Sequence, residues 1–356
     1  MKSPRNRMAG ILFAIGAIAL LSWGAPLHAE TITTTNPYEG ITLISDVDPS
    51  SVSRPVSINV AEINLTAPGI SFEMSPAVTP PSPYNQTYVT TLQTTLAFQQ
   101  QVGAQMAVNT EFFLPYPGAG PTSSYTNLVG FAASNGNIYS PFQTPAQSYA
   151  IVTDAPAINI TQNNQASIVT AAGNGTQVQQ NVSIYNAFSG SAQIITNGVV
   201  TIPVYKDATH PNGLLTPDSY GTSYSNSNSW YNAVNARTIV GLTQNNQTLV
   251  IFTVDNAAGS QGMNLTEAAN YLLTNYGVYN ALNLDGGGST TLTAENPTTG
   301  VDYAVNNTSN AGGLRAEGAN LAIFAEPVPI PPAFLLMGSG LASLVFVRVR
   351  RRVLGA

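Results

Sequence analysis

The chain has 356 residues, of which 44% are hydrophobic and 8% charged, and it contains no cysteine. A chain of this length can bury a sizeable core, and the lack of cysteine excludes disulfides, thiolate metal sites and a thiol nucleophile. Residues 30–325 hold only four bases, Arg54, Lys206, Arg237 and Arg315, against 16 of the chain's 17 acids, and this net charge of −12 argues against nucleic-acid binding.

Residues 1–29 read as a secretory signal. Lys2, Arg5 and Arg7 form a basic start, residues 9–21 are apolar, and Leu27-His28-Ala29 ends on a small residue fit for signal peptidase. The apolar run is shorter than the ~20 residues a spanning helix needs. Its removal takes His28 with it. His210 is then the only histidine left, in a His-Pro-Asn-Gly turn where no catalytic role is expected.

Ile58 and Val60 alternate with polar residues, as do Ile70, Phe72 and Met74, and both runs predict strands. A helix is expected over residues 88–102 on the spacing of Val89, Leu92 and Leu96. Met106-Ala107-Val108 predicts a strand that delivers Asn109-Thr110-Glu111-Phe112-Phe113 to a pocket edge. Residues 238–243 and 248–254 flank Asn245-Asn246 and read as a hairpin, because Asn tolerates positive φ. Asp255 closes the second of these strands. Asn264-Leu265-Thr266-Glu267 has capping-box spacing, Leu265, Ala268, Leu272 and Tyr276 share one face, and Gly277 is a natural stop.

An extended segment then runs to Asp285 and the glycines Gly286, Gly287 and Gly288, followed by Ser289 and Thr290. Glycines let a backbone approach a ligand and offer amides to an anion. Asp285 at a strand end can act as acid or base, although a tight turn with a capping Asp has the same spelling. Arg237 and Arg315 carry the planar fork that suits phosphate. Beyond Glu326 a proline-rich spacer leads to apolar residues 334–347 and then Arg348, Arg350, Arg351 and Arg352, an arrangement that keeps the arginines in the cytoplasm.

That C-terminal end resembles the PEP-CTERM sorting signal of Gram-negative bacteria, carried by Ala325-Glu326-Pro327 and by Val328-Pro329-Ile330-Pro331 before the apolar run. The resemblance implies an exosortase-type sorting enzyme as partner, transient anchoring in the inner membrane, and a final place in the periplasm, at the cell surface or in an exopolysaccharide matrix.

The body, from about Gly40 to Ala325, resembles the phosphodiester glycosidase family. The resemblance is carried in order by Asn109–Phe113, Ser134–Ile138, Phe188-Ser189-Gly190 with Ile195–Gly198, Ala236–Gly241, Val254-Asp255 with Ser260–Met263, Leu282–Thr290, and Arg315 to Asn320. Thr110 and Ala236 replace a usual Gly and Pro. The resemblance implies hydrolysis of a sugar-1-phosphodiester at the anomeric carbon, on a sugar-phosphate or polysaccharide substrate, and that chemistry needs no cofactor or metal cluster. Asp285 is then the expected catalytic carboxylate, with Asp255 and Glu111 as further candidates. Asn109, Arg237, Gly286, Gly287, Gly288, Ser289, Thr290 and Arg315 are expected to bind substrate and phosphate. The expected fold is mixed α+β, a β-sheet core with a few flanking helices forming one catalytic domain over residues 30–325. A non-catalytic exopolysaccharide-binding protein on the same scaffold is the alternative.

Overall fold

The computed structural model describes residues 29–79, 89–115, 124–173, 175–218 and 223–328. The expected leader, apart from Ala29, and the apolar and arginine-rich parts of the expected sorting segment lie outside these residues. The described part of that segment touches the first strand: Glu39 N–H donates to the Glu326 carbonyl at 2.9 Å, and Pro327 bridges to Tyr38.

The architecture is β-rich, which corrects the expected α+β mixture. Among the described residues only two α-helices occur, Thr95–Val102 and Leu265–Tyr276, of 8 and 12 residues. The helix expected over residues 88–102 forms only in its second half, because Val89–Thr91 and Gln93–Thr94 pair as strands. β-Branched Thr90, Thr91 and Thr94 favour that extended start. Thr94 then caps the helix by accepting from Ala97 N–H at 3.1 Å. The second helix matches expectation, with its capping box between Asn264 and Glu267 and a left-handed Gly277 at its end.

The largest sheet has eight strands, all paired antiparallel. Its order is Thr31–Tyr38, Ile41–Val47, Ser57–Asn64, Thr248–Val254, Arg237–Thr243, Val278–Asn283, Ala192–Thr196 and Val199–Val200. The expected hairpin is its centre, with Arg237 opposite Val254 and Leu242 opposite Leu249. Both faces of these strands are covered. Val240, Leu242 and Ile251 join Met106, Val108, Leu321 and Ile323 of a second, five-stranded sheet in one apolar core. Ile239, Val250 and Phe252 point the other way and pack with Leu265, Ala268 and Leu272 of the second helix. Alternation sends successive side chains to opposite faces, so a sheet buried on both faces shows the near-continuous apolar runs seen here.

The second sheet runs Asp302–Ala304, Leu292–Glu295, Met106–Asn109, Asn320–Phe324 and Ser71–Met74. Another five-stranded sheet carries Ala132–Ser134, Asn186–Ser189 and Ala157–Ile160 at its centre. Two strand ends meet where Asn109 leaves the second sheet and Leu284 leaves the large one, and the candidate site is built at that junction.

Candidate active site

Leu284 still bonds the large sheet through its N–H to the Thr238 carbonyl at 2.9 Å, and the chain then turns away. Asp285 N–H donates to the Thr110 carbonyl at 3.0 Å. Asn109 fastens the junction from behind: its Nδ2 donates to the Asp285 carbonyl at 2.8 Å, and its Oδ1 accepts from Thr238 Oγ1 at 2.9 Å and Thr291 N–H at 3.0 Å. Asn109 is fully buried. Its side chain thus fixes the Asp285 turn and presents no surface to a ligand.

The glycines are required by crowding and by backbone conformation. A Cβ on Gly286 would stand 2.9 Å from the Ala236 carbonyl oxygen, and Gly287 has φ +60°. Four amides of the expected anion cradle, those flanking Gly288, already bond within the protein. Gly286 N–H donates to Asp285 Oδ1, Gly287 N–H to Ala236, Ser289 N–H to Gly286 and Thr290 N–H to Gly287.

What the turn presents is a set of charged and polar side chains. Ser289 Oγ donates to Asp285 Oδ2 at 2.9 Å and accepts from Arg315 Nη1 at 3.1 Å. The exposed Arg315 guanidinium lies over the Phe113 ring, 5.7 Å from its centroid. Two residues beyond Arg315 stands Glu317, on the short strand Ala316–Glu317 that pairs with Gln93–Thr94. Glu317 is 1% exposed; the Ser289 hydroxyl lies close to its carboxyl, but neither carboxyl oxygen has a hydrogen bond of good geometry.

Burial separates the two carboxyls electrically. It pushes Asp285 up to about 6, against the opposing pull of the Ser289 hydroxyl, the Arg315 charge and the Gly286 amide. It pushes Glu317 up to about 9, helped by the negative charge of Asp285 and opposed by Ser289 and Arg315. Both carboxyls are raised, Glu317 the further, so Asp285 is the first of the two to ionise. Neighbouring carboxyls held in different protonation states are the arrangement that acid–base chemistry requires.

The other expected residues surround this cluster in different ways. Arg237 is 2% exposed; its Nε donates to the Met263 carbonyl at 3.2 Å and its Nη2 to the Ala233 carbonyl, while Trp230 stacks on it at 5.1 Å. Burial pushes it down to about 10. Two of its three nitrogens thus hold backbone carbonyls. Asp255 is buried and its Oδ2 accepts from both Asn307 N–H and Asn307 Nδ2 at 3.0 Å. Asn306 beside it donates to the Thr290 carbonyl at 3.0 Å, so Asp255 anchors the segment that backs the glycine turn. Glu111 is also buried. Its Oε2 accepts from Thr110 Oγ1 at 2.6 Å, its Oε1 has no partner, and burial pushes it up to about 8. Thr290 Oγ1 is buried without a partner. His210 lies in an exposed turn against Asp207, 3.0 Å from its Oδ1.

Asp285, Ser289 and Arg315 therefore come together with Phe113. Glu317 joins them and was missing from the sequence expectation. Its one signal in the sequence is its position two residues after Arg315, which puts both side chains on one face of an extended chain.

A sequence model of the phosphodiester glycosidases matches residues 102–324, and this span contains the whole of the cluster just described. The chain belongs to the phosphodiester glycosidase family. Three solved structures are similar to it at identities that establish the fold alone. The zebrafish N-acetylglucosamine-1-phosphodiester alpha-N-acetylglucosaminidase catalytic domain, auto-inhibited by its pro-peptide, shares 17% identity over 83% of this chain and 88% of that one, with a TM-score of 0.54. A Burkholderia pseudomallei protein described as exported shares 12% identity over 83% of this chain and 96% of that one, with a TM-score of 0.53. A hypothetical protein from Synechocystis shares 16% identity over 84% of this chain and 64% of that one, with a TM-score of 0.51. No curated protein matches the chain.

Proposed function

We propose that this phosphodiester glycosidase family member hydrolyses sugar-1-phosphodiesters, cutting between the anomeric carbon and the phosphate oxygen. One observation carries the reading: the Asp285 carboxyl sits on the same serine hydroxyl as an exposed arginine. Arg315 holds the phosphate, whose departure as a stabilised anion lowers the demand for a strong acid. Asp285 faces the positive charge that develops at the anomeric carbon, or draws a proton from the incoming water. Ser289 sets the distance between them. Arg237 and Asp255 support the site from beneath by holding the segments on either side of the glycine turn.

The reading extends to the chain's destination. Residues 1–29 direct export, and the C-terminal segment engages the inner membrane and a sorting enzyme of the exosortase type. The substrate is then a glycosyl-1-phosphate linkage in an envelope or extracellular glycan.

The test offers the purified protein a UDP-sugar or methyl-phosphoryl-GlcNAc beside p-nitrophenyl-GlcNAc. Free sugar from the diester alone is expected, with its release lost in Asp285→Asn and Arg315→Ala. Full turnover in both variants refutes the assignment. A panel of sugar diesters left intact, with a matrix polysaccharide bound, would mark the protein as a glycan binder instead.

A further inference from the structure

Glu317 is buried beside a second carboxyl, with the Ser289 hydroxyl close by and no hydrogen bond of good geometry to either oxygen. The charged groups that face it are Asp285 and Arg315. The strand paired with it contributes neutral Gln93, and the next residue, Gly318, packs its backbone on Phe113. Ser289 lies among these groups with one proton to give and two lone pairs. It gives the proton to Asp285 Oδ2, and Arg315 occupies one lone pair. The second lone pair can accept from a protonated Glu317. An ionised Glu317 has nothing to give. It would compete with Asp285 for the single Ser289 proton and with the substrate's phosphate for the charge of Arg315.

We propose that Glu317 is a positioning residue that stays protonated beside Asp285, leaves the Ser289 proton to Asp285 and Arg315 to the phosphate, and disables the site when it ionises. This inference rests on the phosphodiester glycosidase reading. It adds a residue and an alkaline limit that the reading does not contain. Burial and the Asp285 charge place that limit near pH 9.

The decisive variants are Glu317→Gln, which imitates the protonated acid and cannot ionise, and Glu317→Asp, which can. The profile of kcat/KM on a sugar-1-phosphodiester is recorded from pH 5 to 10, each protein normalised to its own value at pH 7. The parent and Glu317→Asp are expected to fall about tenfold per pH unit beyond the alkaline limit, and Glu317→Gln to stay level there. A Glu317→Gln profile with the parent's alkaline fall overturns the proposal.

Thermal unfolding supplies a readout that needs no activity. The folded state holds the Glu317 carboxyl above its unfolded value, so the parent loses stability relative to Glu317→Gln as pH rises from about 4.5 towards 9. The Tm difference between the two is expected to widen steadily between pH 5 and 8. A constant difference means that Glu317 is already ionised in the fold and overturns the proposal. A widening difference in a protein that cleaves no diester supports the protonated Glu317 and refutes the glycosidase reading.

Discussion

Replacing Asn109 with alanine tests whether the clasp behind Asp285 holds the junction of the two sheets. The side chain makes three hydrogen bonds in a fully buried position: one to the Asp285 carbonyl and two from Thr238 Oγ1 and Thr291 N–H. The Thr238 hydroxyl can rotate towards another acceptor. The Asp285 carbonyl and the Thr291 amide cannot move without moving the turn. Leaving a buried polar group unpaired costs about 1–3 kcal/mol, so two such groups give about 2–6 kcal/mol. That is a large part of the ~5–15 kcal/mol that holds a typical domain. Urea unfolding of Asn109→Ala against the parent measures it through the shift in midpoint at constant slope. Asn109→Asp sharpens the test, because its ionised form offers no donor to the Asp285 carbonyl. That buried carboxyl would titrate above its unfolded value, so the variant should be closest to the parent near pH 4 and lose stability as pH rises. An Asn109→Ala loss below about 1 kcal/mol would refute the clasp, because even one orphaned buried group should exceed it.

Ser289→Ala removes the hydroxyl that pulls Asp285 down, so the acid limb of kcat/KM, near pH 6 in the parent, should move to higher pH; an unmoved limb would separate Ser289 from Asp285. The same variant should lower kcat/KM on a sugar-1-phosphodiester at least ~10-fold by releasing Arg315. Gly190→Ala places a Cβ 2.0 Å from the Asn283 carbonyl oxygen, a backbone atom within the large sheet. A loss of about 3 kcal/mol or more is expected, and a variant with parental urea unfolding would contradict the close approach. Asn264→Ala removes the capping box of the second helix and should cost about 1 kcal/mol, read as a lower Tm with the diester activity retained.

How much of the site could be read from the sequence follows from the range of the interactions. The capping box, the Gly277 stop and the 238–254 hairpin matched expectation because each depends on residues a few positions apart. The turn after Asp285 was locatable for the same reason. The partners of its amides were not, since the Ala236 carbonyl that crowds Gly286 reaches it only through the folded sheet. Arg237 and Asp255 read alike as site residues. Structure sends the Arg237 Nε to Met263 and gives the Asp255 carboxyl to Asn307, 52 residues away. The first helix is shorter than its apolar spacing predicts because the same spacing also fits a chain that pairs as strands before Thr94. The β-rich fold class departs from the expected mixture for a related reason: many strands are short and rich in Thr, Ser and Asn, and their pairing is decided by distant neighbours.

The family motifs, the acidic body and the position of the Asp285 turn are legible in the residue order, because they depend on composition and on short-range patterns. That Glu317 stands beside Asp285 follows from the folded chain and from no local pattern. The two are 32 residues apart, and strand pairing of Glu317 with Gln93 and of Asn320 with Asn109 brings their segments together. Burial at that meeting point raises both carboxyls, Glu317 the further, and no local pattern of residues encodes how much water is excluded there.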